Sequence, residues 1–182
     1  MEGNKRQLKS KEGELIEFPE EFGNVCVQFR DANKNEPLSV ESISLATLKI
    51  IKDFYEAHSY DEKSVQVNMP LQSDKLKEEI DEKSFNVLEP YAGIQNVGKI
   101  TPLIDAAYYL NLEGFKNACQ AALAYEFIIG PTDDDIKNFK EKHNIIITPE
   151  EEKEFGEEFE VMFKELNEKK KKEMEEKLKE QK

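Results

Sequence analysis

Phe155, Phe159, Met162, Phe163 and Leu166 recur at i, i+4, i+7, i+8 and i+11 on a background of glutamate and lysine. That spacing describes one face of an α-helix. Each such side chain gains roughly 2 kcal/mol on leaving water, and left wet the stripe is an aggregation-prone patch. Any fold for this chain must therefore cover the stripe with its own body, with a partner, or with both. Beyond Leu166 only Met174 and Leu178 continue it, so residues 167–182 are expected to be a charged helical tail that projects or frays.

Composition sharpens the demand for a cover. Charged residues make up 36% of the 182 and apolar residues only 38%, so part of the chain is solvated or partner-bound. The length suits one domain with an extension, or two small ones. A net charge of −13 repels phosphate backbones and anionic membranes, which are bound through Lys and Arg, so neither nucleic acid nor a membrane is an expected partner. Cys26 and Cys119 are too few for a disulfide framework and lack CxxC spacing. With no leader-like apolar region at the start and no run of transmembrane length, the expectation is a soluble protein of the cytoplasm, the nucleus or both.

The hydropathy pattern sets out the elements. "RQLKSKEGELIEFP" reads as two short strands around a "KEG" turn, with Gly13 supplying the turn and Pro19 closing it. "NVCVQFR" alternates Val25, Val27 and Phe29, which by period predicts a strand. After the "NKNEP" loop and an extended "LSVES", Ser44 caps a helix, "LATLKIIKDFYEAH", with Leu48, Ile51 and Tyr55 at helical spacing. Residues 59–83 lack a sustained apolar face and predict a mobile acidic loop with a helical turn near 75–81. "FNVLEPY" predicts a short strand.

From Thr101 the pattern is helical. Leu103, Ala106, Ala107 and Leu110 form one face of a helix over 102–110, leaving Tyr108 and Tyr109 beside it. A second helix runs from about Phe115 to Ile129 and stops at "GPT". Thr132 caps a third, "DDDIKNFKEKH", whose aspartates favour its positive N-terminal end. Thr148-Pro149-Glu150-Glu151 opens a fourth, by cap, proline and first-turn acid.

Nothing in the sequence assembles a catalytic centre. His58 and His143 stand at charged helix ends, where a histidine is solvated or serves the helix dipole. HExxH, GxSxG, GxGxxG and phosphate loops do not occur. The "DDD" run suits a helix start better than a metal site, and Cys119 suits a small core residue. "KKKK" at 169–172, flanked by glutamates at i+4 spacing, reads as a salt-laced solvated helix. No enzyme, metal, cofactor or small-molecule substrate is expected.

The order of elements carries a resemblance. "LKSKEGELIEF", "PLSV", "LATLKIIKDFYEAH", an acidic loop, "LIDAAYYLNLEGF", "GPTDDDI", "HNI" and "TPEEE" follow one another as in the Skp1 family, the BTB/POZ-fold adaptors of cullin-RING ubiquitin ligases. The family's L-x-x-A-A-N-Y-L stretch resembles the segment from Leu103 to Phe115, its G-K-T-x-E-E-I the segment from Gly130 to Ile136, its F-N-I the triplet His143-Asn144-Ile145, and its T-x-E-E-E the run Thr148 to Glu152.

The resemblance implies an α+β fold: a three-stranded sheet flanked by helices over residues 1–129, then helices over 130–166 that clasp an F-box. By position, Tyr108 and Tyr109 match the Asn-Tyr pair that family members present to the cullin; from the residues alone, the pair suits either a contact patch or partial packing under residues 59–83. The F-box-facing positions are Leu123, Phe127, Ile136, Phe139, Ile145 and Ile147, with the stripe at Phe155, Phe159, Met162, Phe163 and Leu166. The implied function is a non-catalytic adaptor that bridges a cullin to an F-box-type substrate receptor in ubiquitin-dependent degradation.

The chain departs from that pattern in six places, two of them near the start: "NVCVQFR" alternates like a strand where the resemblance implies a helix, and "DANKN" shortens the expected acidic loop. It contains no tryptophan, where family members end with an Asn-x-Trp-Cys-Glu-Glu motif that anchors the F-box. It has Tyr108 for the Asn, extra residues between Ile136 and Asn144, and an extended charged tail. The missing tryptophan, the replaced Asn and the extended tail favour a different class of role, a structural subunit of a large ciliary or cytoskeletal assembly bound to one dedicated F-box-like or leucine-rich-repeat partner. A homodimeric BTB module ranks below both.

Overall fold

The computed structural model describes residues 5–130, 132–148, 150, 151, 153–156, 159 and 162. The chain divides into two compact units, residues 1–128 and 129–182. The first unit is α+β.

Strands β1 (Lys5–Lys9) and β2 (Leu15–Pro19) pair antiparallel, with Leu8 opposite Ile16. The "KEG" turn between them closes with Gly13 at φ +82°, a conformation glycine adopts without a Cβ clash. Period-two alternation puts Arg6, Leu8, Ile16 and Phe18 on the buried face and Lys5, Gln7, Leu15 and Glu17 in solvent. The short β3 (Leu38–Ser39) adds parallel to β1, which completes a sheet ordered β2-β1-β3.

"NVCVQFR" is not a strand. A 3-10 turn at Glu20–Asn24 leads into helix α1 (Val27–Asp31). Phe22, Val25, Cys26 and Phe29 are buried while Val27 is exposed, a helical distribution that the apparent alternation concealed. The Phe22 ring lies 4.4 Å from Phe18, 5.2 Å from Phe29 and 6.0 Å from Tyr55, the aromatic centre of the core. Arg6 stacks 4.4 Å over Phe29 and donates to the carbonyl of Ala32 at 2.9 Å, a cation placed at the negative end of α1.

Helix α2 (Leu45–Ala57) starts where its cap predicts: the Ser44 hydroxyl oxygen accepts from the Thr47 amide at 3.1 Å. It buries Leu48, Ile51, Phe54 and Tyr55. Residues 59–83 carry more regular structure than their polarity predicts. A 3-10 turn spans Glu62–Ser64, Val67 bridges Ile80, and α3 (Leu76–Glu79) occupies the place of the expected helical turn. "FNVLEPY" is helical and not a strand. Asp81 caps α4 (Glu82–Leu88), which buries Ser84 and Leu88 one turn apart, and a 3-10 turn at Glu89–Tyr91 follows.

Helix α5 (Val97–Leu110) begins earlier than Thr101-Pro102 suggests. In place of a cap, the Thr101 hydroxyl donates back to the Val97 carbonyl at 2.7 Å. Its buried face is the one read from spacing: Leu103, Ala106, Ala107 and Leu110. Asn111, at φ +55°, ends the helix in the left-handed conformation, and the buried Leu112 turns the chain into α6 (Glu113–Ala124). A 3-10 turn at Tyr125–Phe127 closes the first unit, short of the helix predicted to Ile129.

In the second unit Thr132 caps α7 (Asp133–Lys142) in a reciprocal box with Asp135. A second box forms at Thr148, whose amide donates to Glu151 at 2.8 Å while its hydroxyl accepts from the Glu151 amide at 3.3 Å. The described residues that follow, 150, 151, 153–156, 159 and 162, are helical.

Candidate interaction surfaces

Tyr108 and Tyr109 sit on the outer side of α5, 59% and 47% exposed. Neighbouring elements hold them in place. Gln120 of α6 donates to the Tyr108 hydroxyl at 2.9 Å, and the Lys116 ammonium stands 5.3 Å over its ring. Gln28 of α1 donates to the Tyr109 carbonyl at 2.6 Å, and the Cys26 thiol donates to the Leu110 carbonyl at 3.7 Å. The pair offers apolar area with polar tips, the composition that interface anchors favour.

The other predicted contact residues fall in two groups. In the first unit, Leu123 packs partly against the core and Phe127 is exposed. In the second, Ile136, Ile145 and Ile147 are exposed, and Phe139 is half-buried with its ring 4.5 Å from His143. Phe155, Phe159 and Met162 are 55%, 58% and 56% exposed. Phe163, Leu166, Pro149 and the "KKKK" run lie outside the described residues. The two most exposed apolar residues both escaped the sequence reading. Ile146, 89% exposed, follows left-handed Asn144 between two isoleucines that were singled out, and Met69, 71% exposed, is a lone methionine in a polar stretch.

The polar clusters are occupied with holding the fold. His58 is buried at the C-terminal end of α2, where a solvated ring was an alternative. Its Nδ1 faces the Phe54 carbonyl at 2.8 Å, and its Nε2 faces Asp81 at 3.1 Å and Ser84 at 3.3 Å. Ser, His and Asp thus meet, but the Ser84 hydroxyl donates to Asp81 at 2.8 Å, and Ser84 and His58 are both buried. That arrangement withholds both the nucleophile and the space for a substrate. Asp81 also accepts from the amides of Lys83, Ser84 and Gln66. Burial alone would push its carboxyl up, yet those hydrogen bonds outweigh it and hold the group below the usual aspartate range.

Glu62 plays a similar part. Its carboxylate accepts from the Tyr55 hydroxyl at 3.1 Å and from the Gly114 amide at the start of α6. A Cβ on Gly114 would stand 2.8 Å from that carboxylate and 3.1 Å from Val65 Cβ, so any other residue there would displace the Glu62 side chain. A hollow of about 430 Å³ is lined by Lys11, Glu12, Thr47 and Asp105, but Glu12 there is spent on the first amide of α2, at 2.9 Å from Leu45 N. Cys26 and Cys119 are buried, and desolvation pushes both thiols up. Among the described residues no group of three or more His, Cys, Asp or Glu side chains is placed to hold a metal ion, and no helix is long and apolar enough to cross a membrane. No protein-family model matches the chain, and no curated protein matches it.

Proposed function

We propose that this chain is a non-catalytic adaptor of BTB/POZ, Skp1-like type that bridges a cullin scaffold to an F-box-type substrate receptor, acting in the cytoplasm or nucleus. The observation that carries this reading is the exposure of Phe155, Phe159 and Met162, apolar side chains at helical spacing that gain by docking on another polypeptide. Tyr108 and Tyr109 supply a second contact surface on the first unit, by analogy the one that faces the cullin. The order of motifs from the hairpin to Thr148 supports the family assignment. Such an adaptor works by juxtaposition: two partners held on one chain meet at an effective concentration far above their free one.

The absence of tryptophan and the Tyr at position 108 favour a second reading, a structural subunit with one dedicated helical or leucine-rich-repeat partner and no cullin. Affinity purification of the tagged chain from its own cells separates the two. The adaptor reading expects a cullin together with several F-box proteins, and Tyr109→Ala should weaken cullin recovery while leaving the receptors bound. One stoichiometric partner without a cullin transfers the function to the structural reading. Phe155 and Phe159 buried in an isolated monomer would remove the basis of both.

A further inference from the structure

The sheet of the first unit ends on β2, the outer strand of the order β2-β1-β3. At its turn the Ser10 amide donates to the Glu14 carbonyl at 2.8 Å. Bonded and non-bonded pairs alternate along an antiparallel ladder, so in the observed register β1 and β2 are bonded through Leu8 with Ile16 and Arg6 with Phe18. The amides and carbonyls of Leu15 and Glu17 therefore point away from β1. No hydrogen bond among the described residues reaches them. Pro19, at the next outward position, has no amide to leave unmet, which is how proline sits on an edge strand.

The chemistry of an open edge selects its occupant. Leu15 and Glu17 each present an amide and a carbonyl, so an extended chain laid antiparallel gains four hydrogen bonds, whereas the backbone of a helix has none to give. Ile16 and Phe18 face the core, while Leu15, 52% exposed, and Glu17 stand on the open face. Residues 12–21, "EGELIEFPEE", hold five glutamates and no cation. Lys5 pairs with Glu17 at 3.6 Å and Lys34 with Glu20 at 3.1 Å. Glu14 and Glu21, at opposite ends of β2, make no ion pair among the described residues. Lys9 lies opposite Leu15 on β1, one strand in from the edge. A second copy of the chain fits poorly. A two-fold axis at Glu17 sets Glu17 against Glu17 and Glu14 against Glu20, and like charges directly opposite destabilise a strand pair; it also matches Leu15 with Pro19, which lacks an amide. An axis at Ile16 directs the Glu14 end of each copy at the Glu20-Glu21 end of the other, between chains of net charge −13.

We propose that β2 docks an extended, basic segment of a partner protein as a further strand, antiparallel at Leu15 and Glu17. An aliphatic side chain lies beside Leu15, and lysine or arginine lies beside Glu17 and towards the two end glutamates. The inference does not depend on the cullin and F-box assignments.

The test titrates the full chain with a capped peptide, Lys-Thr-Val-Thr-Lys, while NMR follows the exchange of each amide proton with water. Exchange at Leu15 and Glu17 should slow and saturate, and that at Ile16 and Phe18, already bonded to β1, should not change. Methylating the backbone nitrogens of the valine and of the first lysine, which face β2, should abolish the effect; methylating those of the threonines, which face away, should preserve it. Leu15→Pro removes an amide that β1 does not use and should weaken binding at least about fivefold, the worth of one hydrogen bond. The same peptide with glutamate in place of lysine should not bind. No saturable slowing at Leu15 and Glu17, equal action of the two methylated peptides, unchanged affinity in Leu15→Pro, or equal binding of the glutamate peptide would each overturn the proposal. Protection of both amides without peptide, in a species that sediments as a dimer, would give the edge to a second copy and overturn it as well.

Discussion

Replacing Asp81 by alanine removes one side chain that four donors and the His58 ring share. The amides of Lys83 and Ser84 lose the cap of α4, the Gln66 amide and the Ser84 hydroxyl lose an acceptor, and the buried His58 loses its Nε2 partner. Loss of a helix cap costs about 1 kcal/mol, and a buried polar group left without a partner costs about 1–3 kcal/mol. Ser84 can turn and Gln66 can meet water, so the sum is about 3 kcal/mol for Asp81→Ala. For a unit of this size each kcal/mol is about 4 °C in Tm, which sets the expected drop at about 12 °C. Urea and thermal unfolding followed by circular dichroism measure it. Hydrogen exchange at the amides of Gln66, Lys83 and Ser84 should accelerate before that of the α5 core. Asp81→Asn, which keeps the capping oxygen and loses the charge, should cost less than half as much. A loss under about 1 kcal/mol for the alanine variant would refute the assignment of Asp81 as the tie between α2, residue 66 and α4.

Acid should expose the same tie. A carboxyl held below its ordinary value stabilises the fold above that value and ceases to do so as pH falls through the lowered one. Wild type and Asp81→Asn should therefore differ at neutral pH and converge as pH drops below about 3.9; parallel curves down to full acid unfolding would contradict this. Cys26 and Cys119 should resist a thiol reagent in the native protein and react fully in urea, as buried thiols with raised pKa do. Rapid labelling without denaturant would show that the core opens around them.

The parts that sequence made legible are those in which local chemistry decides. The "KEG" hairpin, the Ser44 and Thr132 caps and the Leu103-to-Leu110 face each rest on residues within a turn or two of one another. "NVCVQFR" misleads for a definite reason. Val25 and Phe29 are four apart, a spacing that fits a strand and a helix equally, so the assignment hangs on Val27, which is apolar yet exposed. Residues 59–88 were opaque because distant polar partners organise them: His58 with Asp81, Glu62 with Tyr55 and Gly114, and Glu79 with the amides of Gln72 and Ser73. Hydropathy does not register such bonds. Of the candidate contact residues, the shared face of Phe155, Phe159 and Met162 was readable from spacing, and the tyrosines were readable as standing beside the buried face of α5. The small hollow lined by Val67, Met69, Leu71 and Ala124 was not, since it exists only where a loop meets α6.

The attachment of α1 to the end of α5 has a bearing on the order in which the molecule is made. Cys26 to Leu110 spans 84 positions and Gln28 to Tyr109 spans 81. A ribosome releases the first partner of each pair many seconds before the second, at about 5–20 residues per second. Over that interval the nascent chain holds the α1 segment without its α5 partners, so the surface that displays the tyrosines is among the last features of the first unit to take shape. Early release or a stall before Leu110 would deliver a product with a hairpin and a helix but no such surface.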